Sequence, residues 1–237
     1  MMPTNSSIEQ KLWSLLRSFR EYYRCDYRKF ADSLLRAYDN DLQGLQPLDK
    51  RLVKGLADLI STLKYVRKHT LDEMRNFVER YKNDYEYIYV VDCLGLPDLY
   101  ALMCSVDESK FNVIMRIFIN QRTNTQAFKD AFASETMADA ARTLGGLVIR
   151  ILDTSLHEIE EKTNNGELNR NEVLNIIVGR MKYVSSLLAP HMMIKTMIVT
   201  DHGYDVMRRG SGYIINHVFP SNIRPALAKL APVILLK

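Results

Sequence analysis

The sequence YEYIYVVD at residues 85–92 runs directly into CLGLPDL at residues 93–99. Aromatic and β-branched residues favour an extended strand, and Gly95 and Pro97 favour a loop after it. We therefore predict a strand over residues 85–91 with the carboxylate of Asp92 at its end.

Similar apolar runs follow at residues 111–119, 147–152 and 194–199, the last two ending at Asp153 and at Thr200-Asp201. Residues 126–144 and 172–188 have helical spacing of apolar residues. Strands that alternate with helices predict an α/β core with a mostly parallel sheet sandwiched by helices. In such sheets functional groups collect beyond the carboxyl ends of the strands.

Residues 1–80 show only the helical spacing, so we predict an all-helical N-terminal unit over 1–80 and an α/β core over 81–237. The helical unit contains 15 Lys/Arg against 11 Asp/Glu, which accounts for the net charge of +4. This excess could attract a polyanion, although an ordinary solvated helix face explains the same excess and is the favoured interpretation. The helices could also contact a protein partner.

Composition narrows the class of protein. With 47% hydrophobic and 25% charged residues, the chain is expected to be globular. The sequence has neither the features of a signal peptide nor an apolar stretch of membrane-spanning length, which predicts a cytoplasmic protein with no membrane partner. Three cysteines at irregular spacings predict reduced thiols.

The chemistry is suggested by Asp92, Asp153 and Asp201, the three acids predicted at strand ends. Carboxylates that converge at one edge of a sheet need a cation to offset their charge. Histidines stand nearby in sequence, with His157 four residues after Asp153 and His202 directly after Asp201. His217 follows the β-like run 213–216. Each pair alone is a weak motif, but the set predicts a metal site, best suited to Zn²⁺ with Mn²⁺ as the alternative.

The order of these residues resembles the alkaline phosphatase superfamily, and within it the PglZ-like branch. The matching pieces are IYVVDCLGLPDL, RTNTQAF, LDTSLHEI, VTDHGYD and NHVFP, which together fall within residues 85–220. The resemblance implies two divalent metal ions. Asp153, His157 and His217 would bind one ion, and Asp92, Asp201 and His202 would bind the other.

The same resemblance implies that Thr125 is the nucleophile, with Thr123 as the substitute. Thr125 also precedes a helical run, where backbone amides favour an anion, but a simple N-cap would explain its position as well. The function implied is a metal-dependent hydrolase of phosphate esters, most of all a phosphodiesterase acting on a nucleotide or oligonucleotide. The alternative is a non-catalytic PglZ-like module that binds a protein or nucleic-acid partner.

Overall fold

A computed structural model describes residues 5–107, 109–164, 168–219 and 222–237. The last residue of the quoted NHVFP piece, Pro220, lies outside these ranges. In the described part of the chain the helices are α1 (Asn5–Tyr23), α2 (Tyr27–Asp39), α3 (Pro47–Leu63), α4 (Leu71–Tyr81), α5 (Leu96–Ser105), α6 (Thr125–Ala131), α7 (Met137–Thr143), α8 (Ile151–Asn164) and α9 (Arg170–Leu188). The strands are β1 (Tyr87–Val91), β2 (Val113–Ile119), β3 (Leu147–Ile149), β4 (Thr196–Thr200), β5 (Asp205–Arg209), β6 (Gly212–Asn216) and β7 (Leu230–Leu236).

Within these ranges the central sheet has the strand order β2-β7-β4-β1-β3. β1 lies between β4 and β3 and is parallel to both. β7 runs antiparallel to β4 and to β2, so the sheet is mixed but mostly of one direction. β5 and β6 form a separate antiparallel hairpin. The expected mixed α/β class is confirmed at this level.

Helices cover both faces of the sheet, which explains why its central strands are apolar along their whole length. On β1, Tyr89 and Val91 belong to one buried cluster, whereas Ile88 and Val90 belong to the other. The first cluster contains residues of α1, α2, α3, α5, α8 and α9, and the second contains residues of α4, α6 and α7. The N-terminal helices α1–α3 therefore share a core with the sheet.

Three predicted details of the fold are wrong. The helical stretch predicted over 126–144 is two helices, α6 and α7, separated by residues 132–136. The strand predicted over 147–152 ends at Ile149, and Asp153 lies instead in the first turn of α8. The apolar residue Leu152, which suggested a continuing strand, is a buried helical residue. The prediction of reduced thiols is also wrong for two of the three cysteines, because Cys25 and Cys104 form a disulfide that joins the α1–α2 turn to the end of α5. Cys93 is a buried free thiol.

The chain order places the acids on one edge. β1 leads into Asp92, β4 leads into Asp201, and β3 leads into the start of α8, while these three strands are parallel neighbours.

Among the described residues, each helix is too short or too polar to cross a lipid bilayer.

Candidate metal centre

The carboxyl edge of β4, β1 and β3 carries two adjoining groups of side chains. We call Asp92, Thr125, Asp201 and His202 the inner cluster, and Asp153, His157, Glu160 and His217 the outer cluster. The predicted metal ligands are divided between them, three to each.

Thr125 is at the centre of the inner cluster. Its Oγ1 donates a hydrogen bond to Asp201 Oδ2 at 2.9 Å and lies 3.3 Å from Asp92 Oδ1. The same oxygen is 3.4 Å from His202 Nε2. The ligand atoms of Asp92, Asp201 and His202 all lie within 4.8 Å of one another, a spacing that one cation can bridge.

Backbone contacts hold Asp201 and His202 in place. Asp201 Oδ1 accepts hydrogen bonds from the backbone N–H groups of Cys93 and His202, at 2.9 and 2.8 Å. His202 Nδ1 is 2.9 Å from the Gly203 carbonyl, so Nδ1 carries the hydrogen of the neutral ring. Nε2 then presents a lone pair 3.3 Å from Asp201 Oδ2. A nitrogen lone pair and a carboxylate oxygen that face each other are suitable ligands for one metal ion.

Burying the two carboxylates of the inner cluster is electrostatically unfavourable without a cation. It raises the pKa of Asp92 to about 8, with the negative charges of Asp201 and Asp153 adding to the effect. Burial also raises the pKa of Asp201 to about 6, although N–H donors oppose the shift. The pKa of His202 falls to about 4, because the ring is buried and His217 is close. A divalent cation would offset these costs directly.

The outer cluster is assembled by α8 and by the end of β6. Asp153 and His157 are one helical turn apart, with Asp153 Oδ2 at 3.3 Å from His157 Nε2. Glu160, one turn further along, has Oε2 at 3.1 Å from His157 Nδ1 and Oε1 at 2.5 Å from His217 Nδ1. Burial would raise the pKa of Glu160, but the hydrogen bonds and charge of His217 lower it overall.

The two clusters touch through His217. Its ring stacks on the ring of His202 with centroids 4.8 Å apart, and lies edge-on to the ring of His157 at 5.2 Å. The negative charges of Asp153 and Asp201 both act on the pKa of His217, which is raised chiefly because its hydrogen bond to Glu160 outweighs its burial. The six predicted ligands therefore lie in adjoining positions. In the outer cluster, however, the described donor atoms that all lie within 4.8 Å of one another are those of His157, Glu160 and His217, and Asp153 lies beside this group next to His157.

The geometry also distinguishes Thr125 from Thr123 as the candidate nucleophile. Thr123 is buried and has a left-handed backbone (φ 51°), and in the described part of the chain its hydroxyl makes no hydrogen bond to the acids of the inner cluster. Asn124, not Thr125, caps α6, since its side chain accepts from the Ala127 N–H at 2.9 Å. The N-cap interpretation of Thr125 is therefore wrong, and its hydroxyl is directed to the acids instead.

A buried ion pair holds the backbone next to both clusters. Arg180 of α9 bonds to Asp98 at 3.1 Å, and both side chains are almost fully buried. The same guanidinium donates to the carbonyl of Cys93, next to Asp92, at 2.8 Å and to the carbonyl of Leu152, next to Asp153, at 2.9 Å. Arg180 thus fixes the two backbone segments that carry one acid of each cluster.

Asn120 connects the threonine loop to β4. Its side-chain amide donates to the carbonyl of Asp201 at 3.0 Å and to that of Asn124 at 2.8 Å. This contact fixes the distance between Thr125 and the end of β4. The sequence alone gave no sign of it, because asparagine is common in loops of every kind.

All seven residues predicted from the sequence lie in this one site, and Glu160 is the member that sequence reasoning missed. Its signal was present, because Asp153, His157 and Glu160 are spaced four and three residues apart and share a helix face. Their roles as ligands and nucleophile remain predictions. No known protein-family model matches the sequence, and no curated protein is significantly similar to it.

Proposed function

We propose that this protein is a metal-dependent hydrolase of phosphate esters with an alkaline-phosphatase-like, PglZ-like core. The observation that carries the proposal is the position of Thr125 Oγ1, within 3.4 Å of three ligand-type side chains that come from the ends of two neighbouring strands. A hydroxyl held in a buried set of two carboxylates and an imidazole is what covalent catalysis at phosphorus requires.

The residues that would hold two divalent ions are Asp92, Asp201 and His202 for one, and Asp153, His157 and His217 for the other. Zn²⁺ suits these mixed oxygen and nitrogen donors, with Mn²⁺ as the alternative. When bound, the ions supply positive charge that stabilises the attacking and leaving oxygens.

Thr125 carries out the first chemical step. Asp201 Oδ2 orients the hydroxyl by accepting its hydrogen bond. The Thr125 oxygen forms a bond to phosphorus while the bond to the ester alcohol breaks. The Thr125 proton passes to solvent by way of Asp201 Oδ2, and the departing alkoxide takes an equivalent proton from water. Water then hydrolyses the phosphothreonine, which releases phosphate or a phosphomonoester and restores the hydroxyl.

A phosphodiester of a nucleotide or oligonucleotide is the substrate class we propose. It is supported by the resemblance to the PglZ-like branch and by the basic excess of residues 1–80. A cytoplasmic location belongs to the same proposal. Trapping the thiols at cell lysis would test it, because a Cys25–Cys104 disulfide that persists in cells is unusual for a cytosolic protein.

The test compares metal content and activity in three proteins. Wild type is expected to bind two equivalents of zinc or manganese and to cleave bis(p-nitrophenyl) phosphate faster than p-nitrophenyl phosphate. Thr125→Ala is expected to keep both metal ions and lose the cleavage, whereas Thr125→Ser retains a hydroxyl and part of the rate. A metal-free, inert wild-type preparation contradicts the proposal and favours the non-catalytic binding module.

A further inference from the structure

Glu160 has a position that the proposed ligand set does not use. Its side chain is nine-tenths buried, and it lies between the two histidines of the outer cluster. Oε2 is 3.1 Å from His157 Nδ1, and Oε1 is 2.5 Å from His217 Nδ1. Oε1 also accepts the backbone N–H of His217 at 2.8 Å, so one carboxylate joins α8 to the end of β6.

These contacts determine which nitrogen of each ring carries hydrogen. An ionised carboxylate can only accept hydrogen bonds, so both Nδ1 atoms must donate to it. In a neutral imidazole the other nitrogen, Nε2, then keeps its lone pair. For His157 that lone pair lies on the side of Asp153, whose Oδ2 is 3.3 Å away.

Glu160 could instead be a metal ligand together with the two Nδ1 atoms, because these three donors lie close together. The distances argue against that arrangement. Two ligands of one tetrahedral zinc ion, each about 2.1 Å from the metal, stand about 3.4 Å apart. The 2.5 Å between Glu160 Oε1 and His217 Nδ1 is a hydrogen-bond distance that leaves no place for an ion.

We propose that Glu160 is a positioning residue that fixes His157 and His217 as Nδ1–H tautomers, which leaves Nε2 of each ring as the nitrogen available to a divalent cation. The inference rests on the proposed metal centre and adds to it the orientation of two of its ligands. Carboxylates behind metal-binding histidines typically change metal affinity by about 10–100-fold.

The experiment uses the full chain with Glu160→Gln, and with Glu161→Gln as the matched control. Glu161 is the next residue of α8 and is exposed. A glutamine offers one accepting oxygen and one donating NH₂, so it can satisfy one Nδ1–H but must donate to the other ring. That ring is driven to the Nε2–H tautomer, which cannot bind a metal through Nε2.

Two readouts are needed. Zinc titration should show two tight equivalents in wild type and in E161Q, and one equivalent weakened by about 10–100-fold in E160Q, with the inner-cluster equivalent unchanged. Long-range ¹⁵N–¹H NMR of the metal-free protein at about pH 9, above the ordinary pKa of histidine, should show both His157 and His217 as Nδ1–H rings beside that of His202 in wild type, and only one of the two in E160Q.

The possible failures can be separated. Wild type with two zinc ions and an E160Q variant with the same affinity and tautomers overturns the role of Glu160 alone. Wild type that binds no zinc overturns the metal centre and, with it, this role. If E160Q does not fold, Glu160→Asp serves instead, because it keeps the charge but is one methylene too short to reach both rings, and it should weaken the same single equivalent.

Discussion

The inner and outer clusters lie side by side but are built on different kinds of backbone. Asp201 and His202 of the inner cluster are fully buried at the end of β4, and backbone N–H groups fix the Asp201 carboxylate. In the outer cluster, the side chain of His157 is 57% exposed and that of Asp153 is 23% exposed, and both project from one face of α8.

The two clusters therefore acquire their geometry in different ways. A strand buried on both faces has little freedom, so side chains just beyond its end are positioned by the sheet itself. A partly exposed helix fixes only the spacing of its side chains along one face. The outer cluster therefore needs an added contact, and Glu160 provides it by tying His157 to His217.

The largest expected effect comes from removing the support that the two clusters share. Arg180→Met should destabilise the fold by about 3–5 kcal/mol, because it leaves Asp98 charged and unpaired in the core. Urea unfolding measures the change. Lys182→Met, an exposed position on the same helix, is the control and should alter stability little. The double change Asp98→Leu with Arg180→Met should recover part of the loss, and no recovery would contradict the ion-pair explanation.

Neutralising one acid in each cluster should separate the contributions of the two clusters to the rate of diester cleavage. Asp201→Asn should lower the rate of diester cleavage by about 10²–10³-fold, since Asp201 contacts the Thr125 hydroxyl directly. Asp153→Asn should cost only about 10–100-fold, because Asp153 contacts His157 rather than Thr125. Steady-state kinetics at saturating zinc measures both. Equal losses would show that the two clusters do not divide the work in this way.

The inner cluster could be found from the sequence because its physics is local. Strands β1 and β4 are continuous apolar runs, YIYVV and TMIVT, and each is followed at once by its acid. Their neighbouring positions in the sheet then follow from the general behaviour of parallel α/β folds. The roles of these acids remain predictions, but their convergence is a feature of the fold.

Other features depend on contacts that a single sequence does not display. β7 contains Pro232, which usually argues against a strand inside a sheet. Pro232 nevertheless stands opposite Ile117 of β2, and the pairing of β7 with β4 begins only at the next residue, Val233. The Cys25–Cys104 disulfide joins residues 79 positions apart, which only the packing of α5 beside the α1–α2 turn brings together. The run LVIRIL predicts a strand that ends at Asp153, because apart from Arg150 it is apolar, and so short an apolar run is compatible with either an extended or a helical backbone.

Zinc binding by the inner cluster is expected to depend on pH. Asp92 and Asp201, with pKa values raised to about 8 and about 6, must lose their protons to bind a metal, while His202 is already neutral in this range. Affinity should therefore fall by about tenfold for each pH unit from 8 to 6, where Asp92 takes up a proton, and by about a hundredfold for each unit below 6, where Asp201 takes up a second one.

The same shift has a consequence for the metal-free protein. Because the folded-state pKa of Asp92 is raised above its unfolded value, its contribution to stability is lost as pH rises from about 4 to about 8. Thermal melts at about pH 6 and about pH 8 should show the larger zinc-induced increase in Tm at the higher pH. Asp92→Asn should flatten this dependence, and an unchanged slope in that variant would rule out Asp92 as its source.

The smallest expected effects distinguish the tight backbone beneath the inner cluster from an open position on α9. A Cβ at Gly95 would lie 2.3 Å from the ring of Tyr204, so Gly95→Ala should destabilise the fold by about 1–3 kcal/mol through overpacking. A Cβ at Gly179 meets nothing within 4 Å in a helix interior, so Gly179→Ala should stabilise by up to about 1 kcal/mol. Urea midpoints of the two variants give both signs. The loop that starts at Asp92 contains Gly95, so only Gly95→Ala should also weaken zinc binding by the inner cluster. If Gly179→Ala lowered the zinc affinity as well, that affinity would follow global stability rather than the position of this loop.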